Sequence, residues 1–464
     1  MAPAQDKMQK IISLCKRRGF VYQDSEIYGG LANSYDFGPL GVELLRNITN
    51  NWWDFFVTKR GNIYGMDSTI IMSPKVWDAS GHTQRFNDAL IDCMNCKNRT
   101  RADHLIEDSG LKDNVEGLDF EELDKIIIDN KLKCPVCGKS EWTNARKFNL
   151  LFETNIGILE ETSAKAYLRG EIAQGMFVNF KNVIESMRPR LPFGIAQVGK
   201  AFRNEITKGN FIFRNLEFQL AEFEFFFDPK TNKWEEIYDY WKVEMKKWII
   251  GLGVSEDHLS FRVHSDKERS HYSEMTEDLD YEFPFGKKEM FGLAYRTDFD
   301  LKNHMEKSGV DMRYTDPNDP ANKFIPHVVE PTFGINRVFL ALLCEAYSEE
   351  GDRVVLKLNP SLAPYKVAVF PLVSNKEDIV ARAQQVCDDL SKEFPTVLDA
   401  RGNIGKRYYS QDEIGTPFCV TVDYQTLEDD TVTVRFRDSM KQERVLISSL
   451  HPFISDNLTQ NTTL

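Results

Sequence analysis

The sequence predicts an α+β protein with two domains and a cysteine-bearing insertion. Two apolar, extended runs flank a turn-like TKGN segment within residues 202–227, which indicates an antiparallel hairpin. Two C-x-x-C pairs lie within a separate segment at about residues 93–147. Strand-like and helix-like segments alternate over roughly the last 100 residues, the pattern of a small α/β domain. A chain of 464 residues is long enough for this organisation.

The hairpin carries an unusual mixture of side chains on one face. Because side chains alternate across a strand, Arg203 and Glu205 share a face on the first arm. The second arm brings together an arginine, a ring and two carboxylates: Arg214, Phe218, Glu222 and Glu224. The opposite face of that arm is aromatic: Phe211, Phe213, Phe223 and Phe225. Carboxylates in such surroundings are costly unless they are paired or face a cation. The face is therefore either a salt-bridged, solvated surface or a floor for a ligand with charged groups and a flat ring.

Composition narrows the range of partners. With 71 acidic and 58 basic side chains, the net charge is −13, which disfavours non-specific nucleic-acid binding, DNA included, but allows a local basic site for one defined RNA. No run of about 18 apolar residues is present, so we expect no membrane span. The N-terminal segment lacks a secretory apolar core. We therefore expect a cytoplasmic protein.

The paired cysteines predict a metal site. Cys93, Cys96, Cys134 and Cys137 form two C-x-x-C knuckles, which supply the four thiolates that a structural Zn²⁺ requires. Four cysteine ligands leave no open position for catalysis. The alternative is four reduced thiols without metal. The other cysteines are scattered, as expected in a reducing compartment.

Two helical segments carry further information. From Leu40 to Phe56 a wide apolar stripe recurs at helical spacing and indicates either a central core helix or a subunit interface. Arg337 lies in the first turn of a predicted helix, where a cation opposes the helix dipole. A long anionic ligand would reverse that penalty, although an arginine extended to solvent is the alternative.

A proline-containing linker near residues 356–364 marks the predicted domain boundary. Beyond it, a buried strand, an amphipathic helix and further strands form the predicted small α/β domain. Basic residues gather at Lys406 and Arg407 and again along residues 435–444. Such a run is either a solvated face or an RNA-binding surface.

Three sequence blocks in the larger part of the chain and four C-terminal segments carry a family resemblance. The first block contains KRRGF, SEIYGGL, YDFGPLG and the helix with two adjacent tryptophans, and it leads to Pro74. FRNE followed by FRNLEF, and then EPTFGINR, form the second and third blocks. The C-terminal segments are APYKVAVFPL, IGKRY, QDEIGTPFCVTVD and TVRFRD. Together they resemble motifs 1, 2 and 3 and the anticodon-binding domain of class II aminoacyl-tRNA synthetases, and closely the dimeric glycyl-tRNA synthetase family, from Arg17 almost to the end.

The resemblance implies an antiparallel-sheet catalytic domain over residues 1–360, with a zinc-ribbon-like insertion at about 93–147, and an α/β anticodon-binding domain over residues 361–464. It implies that glycine is activated with ATP and Mg²⁺ to glycyl-adenylate and transferred to the 3′ end of tRNA(Gly). Motif 1 forms the dimer interface in the family, which implies a homodimer.

The resemblance also implies roles for individual residues. Arg203 would hold the α-phosphate, Glu205 would lie near the adenine amino group, and Phe218 would stack on the ring. Arg214 and Arg337 would clamp the outer phosphates. The remaining ATP-site residues are Asn204, Phe213, Glu289, Met290 and Gly334. The glycine-site residues are Arg99 at the carboxylate, Glu171, Glu222 and Glu330 around the ammonium group, Thr332 with its hydroxyl, and Phe218.

Glycine has no side chain to grip, so its selection must rest on its charged groups and on exclusion of anything larger. The chain departs from the family pattern at Gly170, Leu216, Gln219 and Thr332. Two alternative functions are considered. One is a synthetase-like accessory protein that binds nucleic acid without catalysis, which would be expected to lose the phosphate-clamping arginines. The other is a synthetase for another small amino acid, which the three glutamates disfavour.

Overall fold

The structure is a computed structural model. It describes residues 3–112, 115, 118–157, 164–205, 210–266, 269–270 and 272–460. The predicted turn residues Thr207, Lys208 and Gly209 lie outside the described residues.

A seven-stranded sheet forms the centre of the larger part of the chain. Its strands, in spatial order, are Leu259–Val263, Met275–Phe283, Gly286–Thr297, His327–Gly334, Glu217–Phe227, Phe193–Phe202 and Ile63–Gly65. Neighbouring strands are antiparallel except for the last pair, which is parallel. This arrangement confirms the antiparallel sheet expected of a class II synthetase domain.

The predicted hairpin exists, but its arms are shorter than the sequence pattern indicated. Strands Phe193–Phe202 and Glu217–Phe227 pair over their full lengths, with Gln197 opposite Glu222. Phe211–Phe213 is a turn of 3₁₀ helix rather than part of the second strand, and Phe211 has a φ of 57°, which ends extended structure. The assignment of Phe211 and Phe213 to a strand face was therefore wrong. Arg203, Glu205 and Arg214 lie in the connection instead of on the strands.

Helices cover one face of the sheet and bury most of the aromatic residues. They are Pro39–Trp53, continued as a π-helical turn Asp54–Thr58, together with Trp234–Gly251 and Ile335–Ala346. Trp52 and Trp248 are fully buried, with ring centroids 5.6 and 5.4 Å from that of Phe333 on the sheet. The apolar stripe of residues 40–56 is thus core. Helix Pro3–Arg18 packs at its edge.

The opposite face of the sheet is covered only in part, by helices Ala173–Met187 and Phe299–Ser308. The insertion lies beside the open part. It includes strand Arg99–Arg101 and helices Ala102–Asp108 and Phe120–Asp129. Strands Asn87–Asp92 and Arg146–Asn149 connect it to the rest of the chain and form one small sheet with Arg99–Arg101. The smaller elements nearby are Val21–Gln23, Glu26–Tyr28, Tyr35–Phe37, Ile71–Met72, Pro74–Ala79, His82–Arg85, Glu153–Ile156, Ala164–Leu168, Glu256–His258, Tyr314–Thr315 and Lys323–Phe324.

The C-terminal residues form a separate five-stranded sheet, as expected for a small α/β unit. In spatial order its strands are Thr396–Leu398, Val367–Pro371, Phe418–Val422, Thr431–Phe436 and Gln442–Leu446. The first three are parallel and the last two antiparallel. The accompanying helical elements are Glu377–Leu390, Ile404–Ile414, Thr426–Asp429, Ile447–Ser449 and Leu450–Gln460.

A buried ion cluster joins the C-terminal elements to the hairpin that precedes them in the chain. Asp412 is completely buried, and its carboxylate accepts hydrogen bonds from Arg353 Nε at 2.7 Å and from Arg435 Nη1 at 2.9 Å. Arg353 belongs to the hairpin of strands Tyr347–Glu350 and Arg353–Leu356, which leads out of the larger part of the chain.

In the described part of the chain, no helix has the length and apolarity needed to cross a membrane.

Candidate active site

A cavity of about 810 Å³ opens on the uncovered face of the seven-stranded sheet. Its lining includes these residues singled out from the sequence: Glu171, Arg203, Glu205, Phe213, Arg214, Glu222, Glu289, Glu330, Thr332 and Arg337. Residues more than 160 positions apart in sequence therefore meet in one place.

Strand register creates an acidic end in this cavity. Glu222 pairs with Thr332 on the neighbouring strand His327–Gly334. Because alternate residues on paired strands face the same side, Glu224 and Glu330 join them. One carboxylate oxygen from each of Glu222, Glu224 and Glu330 lies within 4.8 Å of the others, and all three side chains are buried. Such a group of anions favours a cation.

Burial and mutual repulsion change the acidity of these groups. Burial, followed by the charge of Glu330 and a hydrogen bond with it, raises the pKa of Glu222. Burial, followed by the charge of Glu330, also raises the pKa of Glu224. Within the part of the chain that the structure describes, neither carboxylate oxygen of Glu224 has a hydrogen-bond partner. The protonated carboxyl group is therefore favoured at Glu222 and Glu224.

One buried arginine, which the sequence analysis did not single out, holds the acidic end together. Arg296 is 1% exposed. Its Nη1 donates to Glu330 at 2.8 Å, and its Nε donates to Asp300 at 2.8 Å. Burial opposes the charge of this guanidinium, but Asp300 and Glu330 raise its pKa overall. The available signal was an arginine inside the apolar strand segment FGLAYRT, since a charge there requires a buried partner.

A second network positions Glu171. Its carboxylate lies 3.2 Å from His82 Nε2 and accepts a hydrogen bond from Gln174 Nε2 at 3.0 Å. Gln174 also donates to Asp300 at 2.9 Å, so this network continues into that of Arg296. Burial alone would raise the pKa of Glu171, but His82 and then Arg296 lower it. Glu171 is thus ionised.

The other end of the cavity is rich in arginine. Arg203 donates from Nε to Gly170 O at 3.0 Å. Its guanidinium lies between two rings, 5.1 Å from the centroid of Phe86 and 5.3 Å from that of Phe218. In this structure Phe218 faces the arginine, and its stacking on adenine stays a prediction.

Arg214 and the insertion meet at the same end. Arg214 Nη1 lies 3.2 Å from His104 Nε2 and 3.8 Å from Glu205 Oε2. Burial, followed by the charges of Arg101 and Arg214, lowers the pKa of His104 to about 3. The imidazole is therefore neutral and accepts the hydrogen bond from Arg214.

Arg337 completes the basic end from the first turn of helix Ile335–Ala346. Its Nη1 contacts the backbone oxygen of Glu289 and the Glu289 carboxylate, each at 2.9 Å. Its guanidinium lies 4.6 Å from the ring centroid of Phe213. The cation is thus directed into the cavity, as expected if an anion binds there.

Several predicted residues do not line the cavity. Arg99 is exposed on the insertion, where its Nε donates to Asp92 at 2.9 Å; Arg101, two positions later on the same strand, lines the cavity instead. Met290 is buried, and a Cβ on Gly334 would lie 3.2 Å from its carbonyl oxygen. Asn204 contributes a backbone hydrogen bond to Leu150 O. The structure does not bring Arg99 together with the glutamates.

Two departures from the family pattern, Leu216 and Gln219, lie where backbone atoms make the contacts. Arg203 N donates to Leu216 O at 2.9 Å. Gln219 N donates to Asn336 Oδ1 at 3.0 Å. Because these bonds use main-chain groups, they do not depend on the side chains at positions 216 and 219.

The four paired cysteines come together as predicted. Cys93 and Cys137 Sγ atoms are 3.6 Å apart, as are those of Cys96 and Cys134. All four sulfur atoms lie within 4.8 Å of one another. Zn–S bonds of about 2.3 Å in a tetrahedron require sulfur separations of this size. The donor set fits zinc.

Comparison with known families agrees with this architecture. The tRNA synthetase class II core domain (G, H, P, S and T) matches residues 153–347. The anticodon binding domain matches residues 366–457, and the glycyl-tRNA synthetase insertion domain 1 matches residues 109–150.

Similar proteins cover almost the whole chain. The glycine–tRNA ligase of Lysinibacillus sphaericus is 50% identical over 98% of this chain and 99% of its own. That of Geobacillus thermodenitrificans is 48% identical over 97% of each chain. That of Caldanaerobacter subterraneus is 48% identical over 98% of this chain and 99% of its own. The chain belongs to the glycine–tRNA ligase family. It is thus a class II aminoacyl-tRNA ligase, as its sequence motifs predicted.

The raised pKa of Glu224 gives a pH-dependent stability. A carboxyl whose pKa is higher in the folded state stabilises the fold below its unfolded pKa, and this contribution is lost as pH rises through the folded pKa. Glu224→Gln has no proton to lose. We expect its unfolding temperature to match that of the wild type near pH 4, below the ordinary glutamate pKa of about 4.3, and to exceed it increasingly toward pH 8.5, by about 1.4 kcal/mol of unfolding free energy for each unit of raised pKa.

Thermal unfolding of ligand-free protein across this pH range measures the effect. Glu282→Gln is the matched control, since Glu282 is exposed on a strand of the same sheet. Parallel stability curves for Glu224→Gln and wild type would contradict the assignment.

Proposed function

We propose that the cavity binds glycine at its acidic end and ATP at its basic end and joins them as glycyl-adenylate. The observation that carries this proposal is that three carboxylates and three arginines line one cavity. The carboxylates are those of Glu171, Glu222 and Glu330, and the arginines are Arg203, Arg214 and Arg337. The loss of arginines expected of a non-catalytic accessory protein has not occurred.

Glycine would be recognised through its two charged groups. Its ammonium group has three donors, and Glu171, Glu222 and Glu330, which all line the cavity, would supply the acceptors. Binding of the ammonium would ionise the carboxyls whose pKa is raised in its absence. Thr332 would add a hydroxyl. Arg99 is proposed for the glycine carboxylate on family resemblance, and it would have to leave Asp92 to reach it.

ATP would lie along the arginines. Arg203, held between two rings, would contact the α-phosphate, and Arg214 and Arg337 would contact the outer phosphates. A polyphosphate would relieve the unfavourable position of Arg337 in the first helical turn. Glu205 and Phe218 would contact adenine, with Asn204, Phe213, Met290 and Gly334 in the surrounding wall.

The site also suits the Mg²⁺ that accompanies ATP. Glu289 and Asp278 both line the cavity. Burial, followed by the charge of Glu289, raises the pKa of Asp278 to about 6. Carboxylate oxygens are the ligands that this cation prefers. Glu289 would be a ligand, and the ion would neutralise phosphate charge.

The chemistry requires positioning more than acid–base catalysis. A glycine carboxylate oxygen forms a bond to the α-phosphorus while the bond to pyrophosphate breaks, and the arginines stabilise the charge of the transition state. A hydroxyl of the tRNA 3′ end then attacks the glycyl carbonyl carbon, its proton is lost, and AMP leaves. Because overfilling a tight pocket is costly, a bulkier amino acid is rejected without an editing site.

The same family resemblance supports proposed roles for the two domains and for the cysteine cluster. Residues 1–360 would be the catalytic domain with its insertion at about 93–147, and residues 361–464 would bind the anticodon of tRNA(Gly) in the cytoplasm. The cysteine cluster would hold a structural Zn²⁺ that orders the insertion strands leading to Asp88 and Arg101 in the cavity wall.

A homodimer is proposed from family resemblance and from an exposed apolar surface. In the first motif block, Ile27 and Tyr28 are each 88% exposed, and Leu31 is 52% exposed. Exposed large apolar side chains this close together favour an interface. The second copy of this chain would cover them.

Glycine-dependent ATP–pyrophosphate exchange tests the activity. We expect exchange with glycine and none above background with proline, threonine or histidine. Arg337→Ala should lower exchange by about 10²–10³-fold, because it removes charge stabilisation aimed at the phosphates. Arg313→Ala, at an exposed arginine paired with Asp311, is the control. No exchange by folded protein would refute the enzyme assignment, and exchange with another amino acid would refute the choice of substrate.

Metal analysis tests the cysteine cluster. Protein purified without chelator should contain about one zinc atom per chain, and Cys93→Ser should lose most of it. Cys387→Ser, at a buried cysteine outside the cluster, should retain it. Less than a few tenths of an atom in the wild type would contradict the proposal.

Sedimentation tests the dimer. We expect a species of twice 53.6 kDa. Tyr28→Asp should shift the population toward single chains, because it places a charge in the apolar surface. Tyr240→Asp, at an exposed tyrosine on helix Trp234–Gly251, should not. A monomeric wild type at micromolar concentration would overturn the proposal.

A further inference from the structure

A tyrosine outside the predicted site residues lies at the acidic end of the cavity. Tyr272 lines the cavity together with Glu171, Glu330 and Thr332. Burial raises the pKa of its hydroxyl; the charge of Arg296 opposes this shift, and the charges of Glu171 and Glu330 add to it. The ring is therefore next to the carboxylates assigned to the glycine ammonium group.

The position of this ring is determined from inside the protein. The centroid of Tyr272 is 3.8 Å from Arg296 Cζ, a face-to-cation contact. On another side, the same guanidinium lies 5.2 Å from the ring centroid of Phe177. Arg296 cannot move freely, because Asp300 and Glu330 each accept from it at 2.8 Å. The tyrosine ring thus rests on a cation that is itself anchored.

We propose that the Tyr272 ring is the wall that excludes a side chain from the amino-acid pocket. The inference rests on the proposed function, that is, on binding of the glycine ammonium by the three glutamates. An amino acid held there has its α-carbon one bond from the ammonium nitrogen. In that position a substituent on the α-carbon would meet the cavity wall, to which Tyr272 and Thr332 both contribute.

An aromatic side chain excludes a substituent on the α-carbon better than a polar side chain does. The carboxylates that bind the ammonium cannot themselves reject a methyl group, since their contacts are the same for glycine and alanine. Rejection requires an inflexible group that does not yield, and overpacking against such a group is costly. The ring has only two side-chain torsions, and its contact with the anchored Arg296, at 3.8 Å, opposes its displacement. Tyr272 is therefore a specificity residue whose ring, rather than its hydroxyl, is required.

Amino-acid selectivity of Tyr272 variants tests this role. The quantity measured is the ratio of kcat/KM for alanine-dependent to glycine-dependent ATP–pyrophosphate exchange. We expect Tyr272→Ala and Tyr272→Leu to raise the ratio about tenfold or more, and Tyr272→Phe, which keeps the ring, to leave it within about twofold of the wild type. A merely structural role would lower both activities together. Tyr240→Ala is the control for loss of a tyrosine ring away from the cavity.

A binding measurement covers variants that lose turnover. Calorimetry with the sulfamoyl analogues of glycyl- and alanyl-adenylate gives the same ratio without catalysis, and thermal unfolding identifies any variant that does not fold. An unchanged ratio in a folded Tyr272→Ala or Tyr272→Leu variant, by exchange or by binding, overturns the proposal. Absence of glycine-dependent exchange in the wild type would instead refute the proposed function, so the two failures are distinguishable.

Discussion

The buried pairing of Arg296 with Asp300 and Glu330 is the interaction on which the rest of the site depends. Removing three charged groups from water is expensive, and only close hydrogen bonding compensates for it. With distances of 2.8 Å to both carboxylates, Arg296 meets that condition. It does not neutralise Glu222 and Glu224 as well, so the pocket retains an excess of carboxyl groups. The same imbalance raises the pKa of Glu222 and Glu224, and it would favour the cationic ligand that we propose for this end of the cavity.

The two ends of the cavity are built from different kinds of structure. The acidic end lies on paired strands, and the basic end lies on the connection between strands and on a helix start. The glutamates lie on paired strands, where alternation holds them on one face at fixed spacing. Arg203 and Arg214 lie in the connection between strands, held by rings and by the insertion rather than by a ladder. A small ammonium group needs rigid acceptors around a point. A polyphosphate needs cations spread along its length, which a connection and a helix start can provide.

Sequence reasoning was most successful where one strand or helix carries the information. The faces of Glu222 and Glu224 and the position of Arg337 in a first helical turn follow from local periodicity. It was wrong about Phe211 and Phe213, because apolar alternation over a few residues does not distinguish a strand from a short 3₁₀ turn that packs its rings inward. It gave no role to Arg296, His82 or Tyr272, since each acts through a partner far away in sequence.

The amino-acid sequence by itself determined the fold class, the membership of the glycine–tRNA ligase family and the residue types of the site, because motif spacing and hydrophobic pattern are local properties of the chain. Only the tertiary structure decided which charges meet. It placed Arg101 rather than Arg99 in the cavity wall, brought four sulfur atoms within 4.8 Å of one another, and set Tyr272 against Arg296. These outcomes depend on distances between segments tens to hundreds of residues apart, which no periodicity within a segment encodes.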